Sequence, residues 1–170
     1  MIARSDYFFE MLDRLGTGER AALKRCVGQQ LADADGKAIT TFYRCLPFGT
    51  DTWQEERWFA AACLRCLWDV GAGEVKPVEI VISELIRSKE LSDSMGHRVE
   101  SLLDTPWDAD GYMLTKLSRI VRLIRQKSGV RIDCAALLDD LIYWNSDNQT
   151  VQKKWARAIF ASETNKETEN

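Results

Sequence analysis

The sequence predicts an all-α protein, and three observations carry that reading. Apolar residues recur at helical spacing over most of the 170 positions. Only three prolines are present, and Pro/Gly clusters are few, which disfavours a turn-rich β fold. Capping residues stand where the apolar periodicity starts, and glycines where it stops. An apolar content of 45% with 29% charged residues is that of an ordinary globular chain.

Ser5 is placed to cap a first helix that runs to about Leu15 and stops at Gly16. Thr17 caps the second, in which Ala21, Ala22, Leu23, Cys26 and Val27 form the apolar side. A short helix is expected over Ala38–Leu46, halted by Pro47 and Gly49. Asp51 or Thr52 then opens a long helix, with Glu55 and Glu56 favourable to its dipole. From Trp58 to Val70 that helix is apolar on nearly every side, so it is expected at the centre of the molecule.

Gly71 and Gly73 end it, and Pro77 suits the first turn of a helix over Val78–Arg87. Its valines and isoleucines also permit a strand, but no partner strand is visible elsewhere. The polar stretch Ser88–Ser94 reads as a hinge between two small helical bundles, 1–90 and 91–162. Beyond it come a short helix near Met95–Leu103, a break at Thr105 and Pro106, and a basic helix from Asp108 or Asp110 to Lys127. Asp133 caps a helix through Trp144, and a last one spans Asp147–Ala161. Residues 163–170 are polar and aperiodic, the pattern of a disordered tail.

Several function classes have little support. Arg4, Asp6, Glu10 and Asp13 interrupt the only early apolar stretch, which argues against a signal peptide. No run approaches the roughly eighteen apolar residues of a membrane span, so a soluble, cytoplasmic protein is expected. Five cysteines, an odd number, point to reduced thiols. Cys63 and Cys66 form a C-x-x-C, but it lies in an apolar helical run without a second such pair, and His97 is the only histidine. Four metal ligands cannot be assembled from that set, and no metal or other cofactor is expected. With one histidine no catalytic triad forms. Asp139–Asp140 and Glu55–Glu56 are adjacent on helices and diverge. No enzymatic activity is expected.

The charge distribution is more informative. Residues 111–159 hold nine basic and four acidic side chains, whereas the remainder holds fourteen and twenty-two. A basic C-terminal half on an acidic protein points to a polyanion. Between Asp110 and Asp133 stand Lys116, Arg119, Arg122, Arg125, Lys127 and Arg131, with no acid among them. Met113, Leu114, Leu117, Ile120, Val121 and Ile124 define the apolar face of this helix. Residues 100° apart then set Arg119 and Arg122 opposite it, with Lys116 and Arg125 on the flanks. Like charges along one helix cost a few tenths of a kcal/mol per pair, so an outside anion is the expected compensation. The plainer alternative is that acids such as Glu79 or Glu84 fold against this face.

The last helix repeats the pattern, with Val151, Trp155 and Ile159 as a stripe and Lys153, Lys154 and Arg157 off it. Arg20, Lys24 and Arg25 make a smaller basic patch near the N-terminus. Four to six phosphate contacts would lower affinity about a few hundredfold between roughly 50 and 200 mM salt. Trp58, Trp68, Trp144 and Trp155 lie on apolar stripes, and only Trp53 and Trp107 remain candidates for stacking on bases. Two further readings stay open: a helix-turn-helix regulator with Asp133–Trp144 as recognition helix, and a helical adaptor whose basic face meets an acidic protein.

Four segments together resemble a known family. Ile39-Thr-Thr-Phe-Tyr-Arg-Cys-Leu-Pro-Phe-Gly49 is similar to the Phe-Tyr-Arg…Pro-Phe-Gly stretch of the CasB family, the small subunits of the type I-E CRISPR surveillance complex, Cascade. Gly18-Glu-Arg-Ala-Ala-Leu-Lys-Arg25 resembles its early helix, Leu117–Arg125 its arginine-bearing helix with Arg122 at the matching position, and Asp133–Trp144 the helix that follows. The resemblance implies two helical bundles, no enzymatic activity, and two copies side by side in a complex with backbone and large subunits. It further implies support of the R-loop by basic surfaces on crRNA, target DNA or the displaced strand, while guide pairing reads the sequence. Arg20, Lys24, Arg25, Arg44 and Arg122 carry over as expected nucleic-acid contacts. Lys116, Arg119, Arg125, Lys153, Lys154 and Arg157 rest on helical phase alone. Ser88–Trp107 has no clear match, which leaves contacts there undefined.

Overall fold

Helices dominate because the apolar periodicity is helical nearly throughout, and the computed structural model, which describes residues 3–71, 73–89 and 94–161, is all-α apart from one minimal ladder. The helices are α1 (Arg4–Asp13), α2 (Thr17–Arg25), α3 (Gly36–Cys45), α4 (Glu55–Arg65), α5 (Val78–Arg87), α6 (Ser94–Leu103), α7 (Tyr112–Lys127), α8 (Cys134–Ile142) and α9 (Thr150–Ala156). A 3₁₀ turn leads into α4, and a π turn, Arg157–Ala161, extends α9.

Two caps follow side-chain chemistry. Asp35 accepts a hydrogen bond from the Ala38 amide at 2.8 Å and starts α3, and Asp133 accepts from Ala136 at 3.0 Å and starts α8. Ser5 and Thr17 instead lie inside the first turns of α1 and α2, after Ala3 and Gly16, which offer no side-chain cap. The expectation of no strands is corrected. Val75–Lys76 (β1) pairs in parallel with Arg131–Ile132 (β2), through Arg131 N–H to the Glu74 carbonyl and Asp133 N–H to the Lys76 carbonyl, both at 2.8 Å. Each strand is the extended lead-in to a helix, since the residue before Pro77 and the capping Asp133 both require extended backbone.

Every side chain from Arg57 to Arg65 is buried, which makes α4 the central helix. It lies along α8 and also meets α2 and α7, while α1 packs on α3 and α8. Phe8 stands edge-on to Trp58 at 4.9 Å and to Phe42 at 6.2 Å, and Trp144 meets Trp155 at 5.5 Å. The buried apolar side chains of both halves fall in one cluster. Of the expected joint, residues 90–93 lie outside the described residues, as does the expected tail at 163–170.

Candidate nucleic-acid interface

Gly111, at φ 75°, ends the preceding turn and releases α7. The predicted apolar face of α7 is buried: Met113, Leu114, Leu117, Ile120, Val121 and Ile124 all point inward. On the opposite side Tyr112, Thr115, Arg119, Arg122 and Gln126 follow one another at steps of three and four, a single ridge on a helix of 3.6 residues per turn. Arg119 and Arg122 are exposed and form no ion pair among the described residues. The acids that were candidates to neutralise this ridge are engaged elsewhere. Glu84 takes the Lys76 ammonium at 2.9 Å, and Glu79 lies 3.9 Å from Lys154.

The flanks of α7 are tethered. Lys116 donates to the Thr105 hydroxyl at 2.7 Å, and the Arg125 guanidinium donates to the Leu67 carbonyl. The neighbouring carbonyl, of Trp68, accepts from Arg20 at 2.8 Å. One end of α2 and one end of α7 are thereby fixed on adjacent carbonyls at the close of α4. At the other end, the turn after α2 abuts α7: a Cβ on Gly28 would lie 3.6 Å from the Ser118 side chain. Lys24 and Arg25, later on α2, are exposed. Lys24 and Arg25 likewise form no ion pair among the described residues.

The other candidates divide. Arg20 is turned inward, with a second bond to the Leu12 carbonyl at 3.0 Å and Asp13 at 3.7 Å. Arg44 is exposed but paired with Glu19 at 2.7 Å. On α9, Lys154 is bound to Asp140, whose other oxygen accepts from the Trp155 indole at 2.8 Å. Lys153 and Arg157 are exposed without an ion pair among the described residues, and with Asn148 and Thr150 they line a shallow groove of about 550 Å³. That groove is separate from the α7–α2 surface.

One cation escaped the sequence reading. Arg98, on α6, lines a groove of about 650 Å³ together with His97, Ser101, Lys116, Arg119 and Ile120. Its signal was the helical phase that turns it away from the buried Met95, Val99 and Leu102. The acid-rich stretch around it hid that signal.

All five cysteines are buried. Burial pushes the Cys66 thiol up to about 11 and the Cys134 thiol to about 12, so neither supplies a thiolate at neutral pH. Among the described residues no group of three His, Cys, Asp or Glu side chains converges on a point, and no helix is long and apolar enough to cross a membrane.

Comparison with known proteins follows the same lines. Residues 19–160 match the family described as CRISPR-associated protein Cse2. The fold is similar to that of CasB from M. ruber, with a TM-score of 0.77 and 24% identity over 99% of this chain and 98% of that one. A Cse2-family protein from Thermus thermophilus gives 0.74 and 26%, covering 94% and 99% of the two chains. A chain in a CRISPR RNA-guided surveillance complex gives 0.73 and 20%, over 98% of each. No curated protein matches the sequence. With the model spanning most of its length, the chain belongs to the Cse2 family of CRISPR-associated proteins.

Proposed function

We propose that this chain is a non-catalytic small subunit of a type I-E CRISPR surveillance complex, Cascade, which grips the guide–target assembly by its backbone and stabilises the R-loop in the cytoplasm. One observation carries the reading. Lys24, Arg25, Arg119 and Arg122 face solvent and have no acidic partner among the described residues, on two helices that are both tethered to the turn after α4. Unpaired like charges a turn apart on one helix, as Arg119 and Arg122 are, disfavour folding slightly, and a phosphate chain removes that penalty. Arg98, Lys116 and Arg125 border the same surface. Lys153 and Arg157, with Lys154 behind them, form a second, smaller contact. Arg44 would join only by exchanging Glu19 for phosphate, and Arg20 acts from behind the surface. The partners are crRNA, target DNA, the backbone and large subunits, and a second copy of this chain.

A regulator that inserts α8 into the major groove is disfavoured. Leu137, Leu138, Asp140 and Leu141 of that helix are buried, and α8 lies along α4. The exposed remainder includes Asp139, which a groove lined by phosphates repels.

The test is Arg119→Glu combined with Arg122→Glu. Affinity for single- and double-stranded nucleic acid should fall about tenfold or more, equally across sequences, and the slope of log affinity against log salt should flatten by about 1.5–2. Helical content should be unchanged, since neither side chain has an internal partner among the described residues. An unaltered salt-dependent curve would falsify the reading.

A further inference from the structure

The connection between α3 and α4 holds aromatic surface out to solvent on a braced scaffold. Phe48 is fully exposed, at 103% of its reference area. Its turn is nonetheless fixed. The Arg4 guanidinium donates to the Phe48 carbonyl at 2.9 Å and to the Thr50 hydroxyl at 3.1 Å, and that hydroxyl donates to the Pro47 carbonyl at 2.7 Å. Gly49, at φ 80°, supplies the left-handed step that closes the turn. On either side, Tyr43 and Trp53 are 44% and 56% exposed. The Tyr43 hydroxyl is held by Glu55 at 2.7 Å. The Trp53 carbonyl accepts from Arg57 at 3.0 Å, and its ring lies 5.2 Å from that guanidinium.

An aromatic side chain in water contributes nothing to the core, yet here the backbone beneath it is ordered in advance. That removes part of the ordering cost a partner would otherwise meet. Large aromatic anchors are the side chains that dominate protein–protein binding.

Charge selects the kind of partner. Asp51 and Glu55 flank the aromatics, and Glu56 and Asp108 line a pocket of about 390 Å³ beside Trp53 and Trp107. The adjacent cations are already engaged, Arg4 and Arg57 by carbonyl oxygens and Arg44 by Glu19 at 2.7 Å. A phosphate backbone is repelled by this rim, whereas a protein surface rich in lysine or arginine is drawn to it.

We infer that the turn 47–56, with the Tyr43 ring beside it, is a docking surface for a protein partner that offers an apolar pocket framed by basic side chains, with Phe48 as the inserted anchor. The inference rests on the reading of this chain as a subunit of a larger complex, and adds which face meets protein rather than nucleic acid.

The experiment co-expresses the full chain with the other surveillance-complex subunits and measures its incorporation into the purified complex. Phe48→Ser should cut the affinity for the complex about ten- to a hundredfold, the range expected for burying one such ring. Asp51→Lys with Asp108→Lys should act in the same direction. The thermal transition of Phe48→Ser should match wild type, because the side chain touches no core, and nucleic-acid binding by the isolated chain should be untouched. Full incorporation of Phe48→Ser beside full incorporation of wild type overturns this inference alone. Exclusion of the wild-type chain overturns the subunit reading as well. Weakened nucleic-acid binding by Phe48→Ser, or loss only of self-association in sedimentation, reassigns the surface and also overturns it.

Discussion

The outer ridge of α7 and the C-terminal end of α4 are both rich in arginine and use it in opposite ways. At the end of α4, Arg20 and Arg125 donate to the Trp68 and Leu67 carbonyls, and Arg65 meets Asp13 at 2.8 Å. Those carbonyls belong to the turn where a helix leaves acceptors unpaired and its dipole is negative. On the ridge, Arg119 and Arg122 have no such acceptor among the described residues. The contrast shows that a count of cations is a weak guide to binding. What matters is whether helical phase directs each guanidinium at a helix end inside the molecule or away from it.

Removing a cation from the inner set should produce the largest effect. Arg65 is only 8% exposed, and Arg65→Ala leaves Asp13 without its closest cation. Loss of one partner from a buried pair costs up to about 3–5 kcal/mol. Asp13 remains partly solvated, so about 2–3 kcal/mol is expected in chemical denaturation, with an unchanged salt slope in nucleic-acid binding. A variant that bound less tightly while remaining stable would erase the distinction between the two regions.

The reverse is expected for the ridge side. Lys24→Ala with Arg25→Ala should leave stability within about 0.5 kcal/mol and flatten the salt slope by about 1.5–2. If α2 and α7 form one surface, this loss adds to that of the α7 ridge variant, and a short oligonucleotide should report both. If only long ligands report it, α2 contacts a different stretch of strand and the two helices do not share one surface.

The fold was largely legible in the sequence because each long helix carries its own apolar face. The buried side of α7 matches the predicted positions, and Val151, Trp155 and Ile159 are buried as their spacing requires. What escaped was non-local. The pairing of β1 with β2 depends on two extended lead-ins more than fifty residues apart, and neither is long enough to show a period of two. The same holds at the candidate surface. Helical phase gave the exposure of Arg119 and Arg122, but the inward turn of Arg20 needs the Trp68 carbonyl, which comes from another helix end. Arg44 and Lys154 look as free as Lys153 in the sequence. Only the approach of Glu19 and Asp140 separates them.

Lys154 also gives the smallest prediction, because it joins the basic helix α9 to the acidic interior. Burial holds the Glu79 carboxyl above its ordinary range, and the nearby Asp140 adds to this while Lys154 opposes it. The folded state therefore binds the Glu79 proton more tightly than the unfolded chain does. Stability at this position rises as pH falls through the folded value, and the ionised carboxylate is a burden at neutral pH. Glu79→Gln should thus raise the thermal transition at pH 7 by a small amount, under about 1 kcal/mol. The advantage should fade as pH drops toward the ordinary glutamate range, where wild type carries the proton itself. A lowered transition at pH 7 would mean that the 3.9 Å contact with Lys154 outweighs the cost of burial. The paired cation of α9 would then stabilise the fold as the inner arginines of α4 do, leaving Lys153 and Arg157 as that helix's counterpart to the ridge.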